Sequence, residues 1–481
     1  MKLKYYHTAA LAILALSSCN EDEFLYEAPE LKQSTEITLG SIDGIKKAVA
    51  GAYSPLSAAA WYGSDFITNC ELRACNARKP IDNKWDSGRC KPGYDWSYTS
   101  SSTMSGLWSF AYYTIANANE ILDNVDGKAD EQTVNGIKAE ALFLRAISHF
   151  DLVRTFGQPY TQVDPTTSLG VPVMLHATNG TPARNTVAEV YEQIEADLLE
   201  AEKLMPDDYN TEGTYHQVVA DYKAVASKEA IQALLSRVYL YMGKWQAAAD
   251  YATKVINSGK FGLWNEEELT TVYNQNVASP KSGEVIFEVY GDQGNYLFSD
   301  QNWEFLMWIS SPRGSGDFGA AHDVYDLYSD EDARKKLFVT DPDAGTQYWT
   351  TKYAGKDNSS PSYNNTILIR LSEMYLNRAE AQIKGATVDG ATAQSDMTAV
   401  AKARGVAPEA VTERGVFTER RKELAFEGHI IYDFARFGYS LKREDTNATL
   451  KEIPFPNYRW AMPIPKSEID ANPNMVQNPN Y

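Results

Sequence analysis

Two groups of aromatic and short polar side chains have the chemistry to bind a carbohydrate. A pyranose ring offers an apolar face that can stack on an aromatic ring, and its hydroxyls need short polar partners. The first group lies within residues 61–105 and comprises Trp61, Asp65, Arg73, Asn76, Trp85, Trp96 and Tyr98. The second lies in the middle of the chain and comprises Tyr296, Trp303 and Trp308. We predict that both groups contact a ligand. The alternative for any one aromatic residue is that it packs its loop against the core.

The sequence lacks the common signatures of a catalytic centre. Neither the Gly-x-Ser-x-Gly elbow nor the His-Glu-x-x-His motif occurs. The six histidines are scattered, without the close spacing of a zinc site, so neither a metal nor a cofactor is predicted. The 64 acidic residues leave a pair of catalytic carboxylates open, so a surface glycoside hydrolase stays an alternative. Bound Ca²⁺ also stays open, although no ligand spacing indicates it.

The start of the chain has the pattern of a lipoprotein signal peptide. Two lysines precede the apolar run 9–16, which is too short to span a bilayer. The run stands just before Cys19, an order that resembles the bacterial lipobox; the alternative is an ordinary signal peptide with a chance cysteine. We predict a signal peptide over residues 1–18, lipidation of Cys19, and a tether over residues 19–40 that holds the protein at a membrane.

The charge and the cysteine content further limit the class of protein and its partners. The formal net charge is −19, which excludes a nucleic-acid partner because such a partner needs a basic face. Three cysteines remain beside the one predicted to carry lipid: Cys70, Cys75 and Cys90. Because three is odd, at least one stays a free thiol. We expect one disulfide among them, with the pairing undecided.

Hydrophobic periodicity predicts a mainly α protein. Helical segments are predicted over residues 43–58, 107–123, 133–156, 186–204, 227–258, 368–385 and 416–437, the last two forming one helix pair around a Gly/Ala-rich insertion. Thr186 and Glu189, three residues apart, predict a capping box at the start of the segment 186–204. Within 227–258, Tyr239, Gly243 and Trp245 follow the spacing of a tetratricopeptide repeat. Ala252 stands where that repeat usually has a bulky aromatic residue, so the copy is degenerate.

The remaining segments predict loops and a short strand. Residues 284–289 alternate like a strand, whereas residues 61–105 and much of 262–365 lose periodicity. Long irregular loops in compact domains are usually functional, and the aromatic content here argues against disorder. The predicted fold is therefore a tetratricopeptide-like scaffold of about four degenerate helix pairs, with long irregular loops and a few short strands.

Several sequence blocks, in order, resemble the SusD/RagB family of Bacteroidetes outer-membrane nutrient-binding lipoproteins. The blocks are Lys138–Ala146, Phe150–Tyr160, Ala233–Tyr241, Ile369–Ala381, Glu419–His429, Asp433–Arg436 and Pro463–Tyr481. Asn480 departs from the pattern, because the family usually has Gly there. The resemblance implies a SusD-like N-terminal helical region over residues 41–261, with its ligand loop at 61–105, and a C-terminal region over 262–481.

The resemblance also implies a function. We expect a non-enzymatic lipoprotein on the outer face of the outer membrane that captures an oligosaccharide and delivers it to a SusC-like TonB-dependent transporter. A peptide-binding member of the same family is the main alternative. A hydrolase and a protein-only adaptor are the others, and an adaptor would not need the aromatic loops.

Overall fold

The computed structural model describes residues 39–79, 88, 91–207, 209, 222–275, 283–289, 316–340, 347–353 and 365–481. Over these residues the chain is mainly helical, and the predicted fold class is confirmed. In order, the helices are α1 Ile42–Tyr53, α2 Asp65–Arg73, α3 Lys91–Tyr94, α4 Ser105–Asn124, α5 Glu131–Phe156, α6 Val187–Leu204, α7 Lys228–Met242, α8 Trp245–Asn257, α9 Glu266–Gln275, α10 His322–Tyr325, α11 Leu371–Ile383, α12 Ala393–Ala403, α13 Glu413–Glu423, α14 Ile430–Phe437 and α15 Lys466–Ala471.

Local capping signals set many helix boundaries. The predicted capping box of α6 is present, with Thr186 and Glu189 each bonding the other's backbone N–H. Gly243 ends α7 with a φ of 71°, in the left-handed region that a glycine adopts without strain. Asn480 has a φ of 69°, which explains how it can stand where Gly is usual, because Asn tolerates this region better than most residues.

The helices pack on their neighbours in a continuous array. In sequence, α4 packs on α5, α5 on α6, α6 on α7, α7 on α8, α8 on α11, and α11 on α12 and α13. At the most regular pair, the small buried residues Ala248 and Ala252 let α8 approach α7, where the Ser236 hydroxyl donates to the carbonyl oxygen of Ala248 at 2.9 Å. Such pairs bury each other's apolar faces, as in tetratricopeptide repeats.

Short antiparallel strands connect the helical blocks. They are β1 Ala77–Arg78, β2 Val285–Val289, β3 Gly319–Ala320, β4 Phe338–Thr340, β5 Tyr348–Thr350, β6 Thr366–Arg370, β7 Leu441–Lys442 and β8 Glu452–Ile453. The strand predicted at 284–289 is confirmed as β2, which pairs with β6. One sheet has the order β1-β3-β5-β4, and β7 pairs with β8. The division at residues 261/262 stays a prediction.

A buried ionic cluster ties the strands to the last helices. Arg370, at the end of β6, bonds Glu423 at 2.6 Å and Glu427 at 2.8 Å, and Arg404 bonds both Glu423 and Glu284 at 2.6 Å. Burial alone would raise the pKa of Glu423, but the surrounding arginines hold it well below its usual range. These charges are satisfied by one another, as buried charges must be.

One loop prediction is wrong in detail, because residues 61–105 were expected to be irregular but contain α2, β1 and α3. A helix that was not predicted, α12, lies in the Gly/Ala-rich insertion after α11 and starts at a capping box formed by Thr392 and Ser395. The segment 416–437 is also two helices, because Phe426 and Gly428 adopt φ values of 63° and 79° that end the helical backbone.

The expected disulfide is also wrong. Cys70 and Cys75 are both free and buried. Burial raises the pKa of the Cys70 thiol to about 12, so it stays protonated at neutral pH and unreactive as a nucleophile. Cys90 lies outside the described residues. Since any pairing among the three cysteines must use Cys70 or Cys75, the two thiols contribute as small buried side chains.

Candidate functional site

The first predicted group is largely a buried cluster. The Trp61 side chain is 0% exposed, and its Nε1 donates to Asp151 Oδ2 at 2.6 Å. The Trp96 side chain is also buried, and its Nε1 donates to the carbonyl oxygen of Arg73 at 2.8 Å. Both indole N–H groups are therefore satisfied inside the protein, as buried polar groups usually are.

The polar members of the same group are also occupied. The Arg73 guanidinium lies 4.9 Å from the Trp96 ring centroid and donates to the carbonyl oxygen of Trp460 at 3.2 Å. The buried Asn76 donates to Glu71 Oε2 at 2.9 Å and accepts from Arg421 Nε at 2.8 Å. We call Trp61, Arg73, Asn76, Trp96 and Tyr98 the Arg73 cluster.

The prediction that the Arg73 cluster contacts a ligand is corrected. Trp61, Arg73, Asn76 and Trp96 are buried, and Tyr98 is buried too, with its hydroxyl donating to Asn69 Oδ1 at 2.7 Å. A cleft beside the cluster, bounded by Arg73, Tyr432 and Trp460 among others, has a volume of about 20 Å³. That volume holds roughly one water and excludes a sugar ring.

The other predicted site residues have different outcomes. Asp65 is half-buried in the first turn of α2. Trp85, Tyr296, Trp303 and Trp308 lie outside the described residues, as does Cys19. Their roles stay predictions.

A strand of the first predicted region pairs with a strand that follows the second in the chain. β1 belongs to the first region and β3 follows the second, and they pair directly, with Ala77 opposite Ala320. Ala320 also stands opposite Tyr348 of β5. Because neighbouring strands lie about 4.8 Å apart, the backbone of Tyr348 is roughly 10 Å from that of Ala77. Described residues flanking both groups therefore meet here.

A half-exposed aromatic platform lies at this sheet. Tyr325 and Tyr348 stack with ring centroids 3.7 Å apart and planes 13° apart, and His322 meets the Tyr348 ring edge-on at 5.1 Å. Phe338 meets Tyr325 at 5.7 Å. We call His322, Tyr325, Phe338 and Tyr348 the sheet platform. Its rings remain partly open to solvent, in contrast to those of the Arg73 cluster.

Charges and hydroxyls beside the platform suit a polar ligand. Lys335 Nζ lies 5.1 Å from the Tyr325 centroid and 2.7 Å from Asp330 Oδ1. That hydrogen bond raises the pKa of Lys335, and partial burial together with Tyr325 raises the pKa of Tyr348. The amine therefore stays charged and the phenol stays a donor. Aromatic faces with a few polar groups can bind sugar rings.

Sequence reasoning missed the sheet platform. Tyr325 lies at the end of α10 and Tyr348 begins β5, so no periodic pattern relates them. Only the pairing of β3 with β5 brings the two rings together. The one available signal was composition, because residues 316–353 are rich in aromatic residues next to the second predicted group.

Six charged side chains of the helices and of the turn after α13 are each paired within the protein: Arg145, Arg154, Glu380, Arg420, Arg421 and Glu427. Arg145 bonds Asp197 at 2.6 Å and Arg154 bonds Asp151 at 2.6 Å. The other four pairs are Glu380 with Arg436, Arg420 with Asp433, Arg421 with Asn76, and Glu427 with Arg370.

The described part of the chain contains neither a cluster suited to a metal ion nor a helix suited to a membrane. No group of three or more His, Cys, Asp or Glu side chains there is arranged to hold a metal ion. None of the helices described is both long and apolar enough to cross a membrane.

The fold is that of a helical-repeat scaffold with connecting loops and short strands. Comparison with known proteins gives the family. Residues 23–240 match a family described as starch-binding and associating with the outer membrane, and residues 345–481 match the SusD family. The chain belongs to the SusD/RagB family.

Relatives match along nearly the whole chain. SusD-like protein P2 of Formosa agariphila is 26% identical, covering 99% of this chain and 100% of its own. The starch-binding protein SusD of Bacteroides thetaiotaomicron is 24% identical over 80% of each. A SusD superfamily crystal structure from B. thetaiotaomicron is 31% identical with a TM-score of 0.80, covering 92% of this chain and 100% of that one.

One further structure contains a bound sugar. It is surface glycan-binding protein A from B. thetaiotaomicron in complex with laminarihexaose. Its TM-score is 0.72 at 20% identity, with 92% of this chain and 100% of that chain covered. At this identity the likeness concerns the fold alone.

Proposed function

We propose that the protein is a cell-surface lipoprotein that captures an oligosaccharide without cleaving it. The observation that carries the proposal is the half-exposed sheet platform, which lies at a sheet where a strand of the first predicted region pairs with a strand that follows the second. The family of the chain is described as starch-binding. A starch-binding protein among its relatives supports a glycan as the ligand.

Capture is proposed to involve the platform together with Trp85 of the first predicted group and the aromatic residues of the second, and we call this proposed site the loop site. Tyr325 and Tyr348 supply rings beside the sheet, and Trp303 and Trp308 belong to the segment that precedes β3 in the chain. A sugar held between aromatic faces and polar groups buries its apolar side while keeping its hydroxyls paired.

We propose that the lipid anchor at Cys19 allows the protein to deliver the captured sugar to a transporter. With residues 1–18 removed and Cys19 lipidated, the protein would be held at the outer membrane beside a SusC-like TonB-dependent transporter that receives the sugar. Cys19→Ala should release the protein from the outer membrane. Crosslinking on intact cells should join the wild-type protein to such a transporter, and a wild-type protein that yields no transporter adduct would contradict the partnership.

Calorimetry on the mature chain tests the binding proposal. The probe is a panel of neutral oligosaccharides that contains laminarihexaose and maltoheptaose. The variant Trp85→Ala/Trp303→Ala/Trp308→Ala should weaken binding at least tenfold, whereas Trp245→Phe, on the helical array, should not. Unchanged binding in the triple variant would refute the loop site. Peptide binding without sugar binding would select the peptide alternative, and steady release of cleaved product would select a hydrolase.

A further inference from the structure

An open cavity lies away from the sheet platform. It is formed by α1, by α4 and by residues 174–179, and its volume is about 750 Å³. We call it the α1–α4 groove. This volume falls within the roughly 300–1,000 Å³ range of small-molecule sites, in contrast to the water-sized cleft beside the Arg73 cluster. The groove shares no described lining residue with the sheet platform.

One wall of the groove presents an aromatic ring that the core does not use. The Tyr113 side chain is 55% exposed, whereas its neighbours on α4, such as Ala111 and Ile115, are buried. Tyr112 lines the groove beside it, with its hydroxyl already donating to the carbonyl oxygen of Pro172 at 2.8 Å. Tyr112 also packs against the Trp108 ring, with centroids 5.0 Å apart, so Tyr113 is the ring that is available for stacking on a ligand.

Polar side chains surround that ring. In the part of the chain that the structure describes, the side chains of Asn117, Glu120 and Asn179 line the groove and have no hydrogen-bond partner. His176 also lines it, 3.3 Å from Asp123 Oδ1. Amide, carboxylate and imidazole groups are suitable partners for sugar hydroxyls.

The charge of the lining selects among sugars. Glu120 faces the groove and Asp123 stands beside it, and no lysine or arginine is among the described lining residues. A sulfated or uronic glycan would meet like charge here without a cation to compensate. A neutral oligosaccharide would meet only hydrogen-bonding groups and aromatic surface.

The wall opposite α4 is held in place by buried polar groups. The backbone N–H of Met174 donates to His149 Nε2 at 3.3 Å, and its carbonyl oxygen accepts from Asn119 Nδ2 at 3.0 Å. Burial, assisted by the adjacent Arg145, lowers the pKa of His149 to about 3, so its ring remains a neutral acceptor. A wall fixed in advance reduces the ordering cost of binding.

We propose that the α1–α4 groove is a second binding site for a neutral oligosaccharide. This inference rests on the proposed function and extends that function from one glycan site to two. Its ring platform is Tyr113, and its hydroxyl partners are Asn117, Glu120 and Asn179. A second site on one anchored protein would increase the retention of a long glycan through multivalency.

The test uses the loop triple variant as its background. With the same neutral oligosaccharide panel, the triple variant should retain a weaker binding event in calorimetry. Adding Tyr113→Ala should weaken that event about tenfold. Adding Gly51→Leu should do the same by filling the groove, because a Cβ at Gly51 meets no atom within 4 Å and the fold can accept it. Adding Tyr375→Ala, at a half-buried tyrosine of α11, is the matched control.

The outcomes separate the two proposals. Residual binding that survives both Tyr113→Ala and Gly51→Leu would overturn the groove site, and so would a triple variant with no residual binding. Either result leaves the loop site standing. Conversely, groove variants that weaken binding while the loop variant has no effect would refute the loop site and support the groove. A wild-type chain that binds none of the panel contradicts both.

Discussion

The Arg73 cluster and the α1–α4 groove contain similar residue types but differ in how those residues are satisfied. In the cluster, the indole N–H groups of Trp61 and Trp96 and the guanidinium of Arg73 each bond a group within the protein, and the adjoining cleft has about 20 Å³. In the groove, Tyr113 is exposed, the amides of Asn117 and Asn179 have no partner among the described residues, and the volume is about 750 Å³. Aromatic content alone therefore does not distinguish the two regions, whereas open volume and unpaired polar groups do.

The largest expected effect contrasts one aromatic residue from each region. Trp61→Ala should lower the free energy of unfolding by about 4 kcal/mol, because it leaves a cavity and removes the hydrogen-bond donor to Asp151. Tyr113→Ala should change it by less than about 0.5 kcal/mol, because the ring is mostly in solvent. Urea unfolding of both variants measures the difference, and similar losses would break the comparison.

The next effect concerns how the free energy of unfolding depends on pH through Glu71, which bonds Asn76 of the Arg73 cluster. Burial raises the pKa of Glu71 to about 7, although Asn76 and the Gly428 N–H bond it. The folded state therefore binds a proton more tightly than the unfolded state. The stabilising contribution is complete below pH ~4.5 and is lost as pH rises through 7, by about 3 kcal/mol.

Unfolding free energies between pH 4.5 and 8 can isolate this contribution. The decrease with rising pH should be smaller in Glu71→Gln than in the wild type, because the amide does not titrate. Glu120→Gln, at a half-buried carboxylate in the groove wall, is the matched control for the loss of one carboxyl group. A Glu71→Gln profile parallel to that of the wild type would contradict the account.

A smaller effect tests the geometry of the cluster's guanidinium. Arg73→Lys keeps the charge but loses the planar fork that bonds the carbonyl oxygens of Arg459 and Trp460 and faces the Trp96 ring. We expect a loss of about 2 kcal/mol in the free energy of unfolding, with oligosaccharide affinity unchanged. Loss of affinity without loss of stability would mean that the cluster is a binding surface after all.

The smallest effect lies in the groove and has the opposite sign. Gly51 lies within α1, where an added Cβ meets no atom within 4 Å. Gly51→Ala should therefore raise the free energy of unfolding by about 0.5 kcal/mol, because alanine has the better helix propensity. A decrease, read from the same urea titration, would show that the groove wall is more tightly packed than the structure indicates.

Sequence reasoning succeeded where the signal is local. The capping box of Thr186 and Glu189 spans four residues, and the alternation of β2 is contained in one strand, so both could be predicted. The helix α12 was missed because its segment is rich in small residues with little apolar pattern. The break at Phe426 and Gly428 was missed because the flanking residues favour helix on both sides.

The candidate site was harder to predict because its contacts are distant in sequence. Trp61 looked available for a ligand until its partner, Asp151, was located 90 residues away on α5. Arg73 bonds a carbonyl oxygen 387 residues away, at Trp460. Single-sequence patterns carry no information on such contacts, and they equally concealed the stacking of Tyr325 on Tyr348, which depends on strand pairing.

The most direct test of the account is a crystal structure of the mature chain soaked with an oligosaccharide that binds in calorimetry. We predict sugar density against Tyr325 or Tyr348 of the sheet platform, with a second unit against Tyr113 in the α1–α4 groove. We also predict that Trp61 and Trp96 keep their internal hydrogen bonds. Sugar density against Trp61 or Trp96, with those bonds broken and the platform empty, would contradict the central claim.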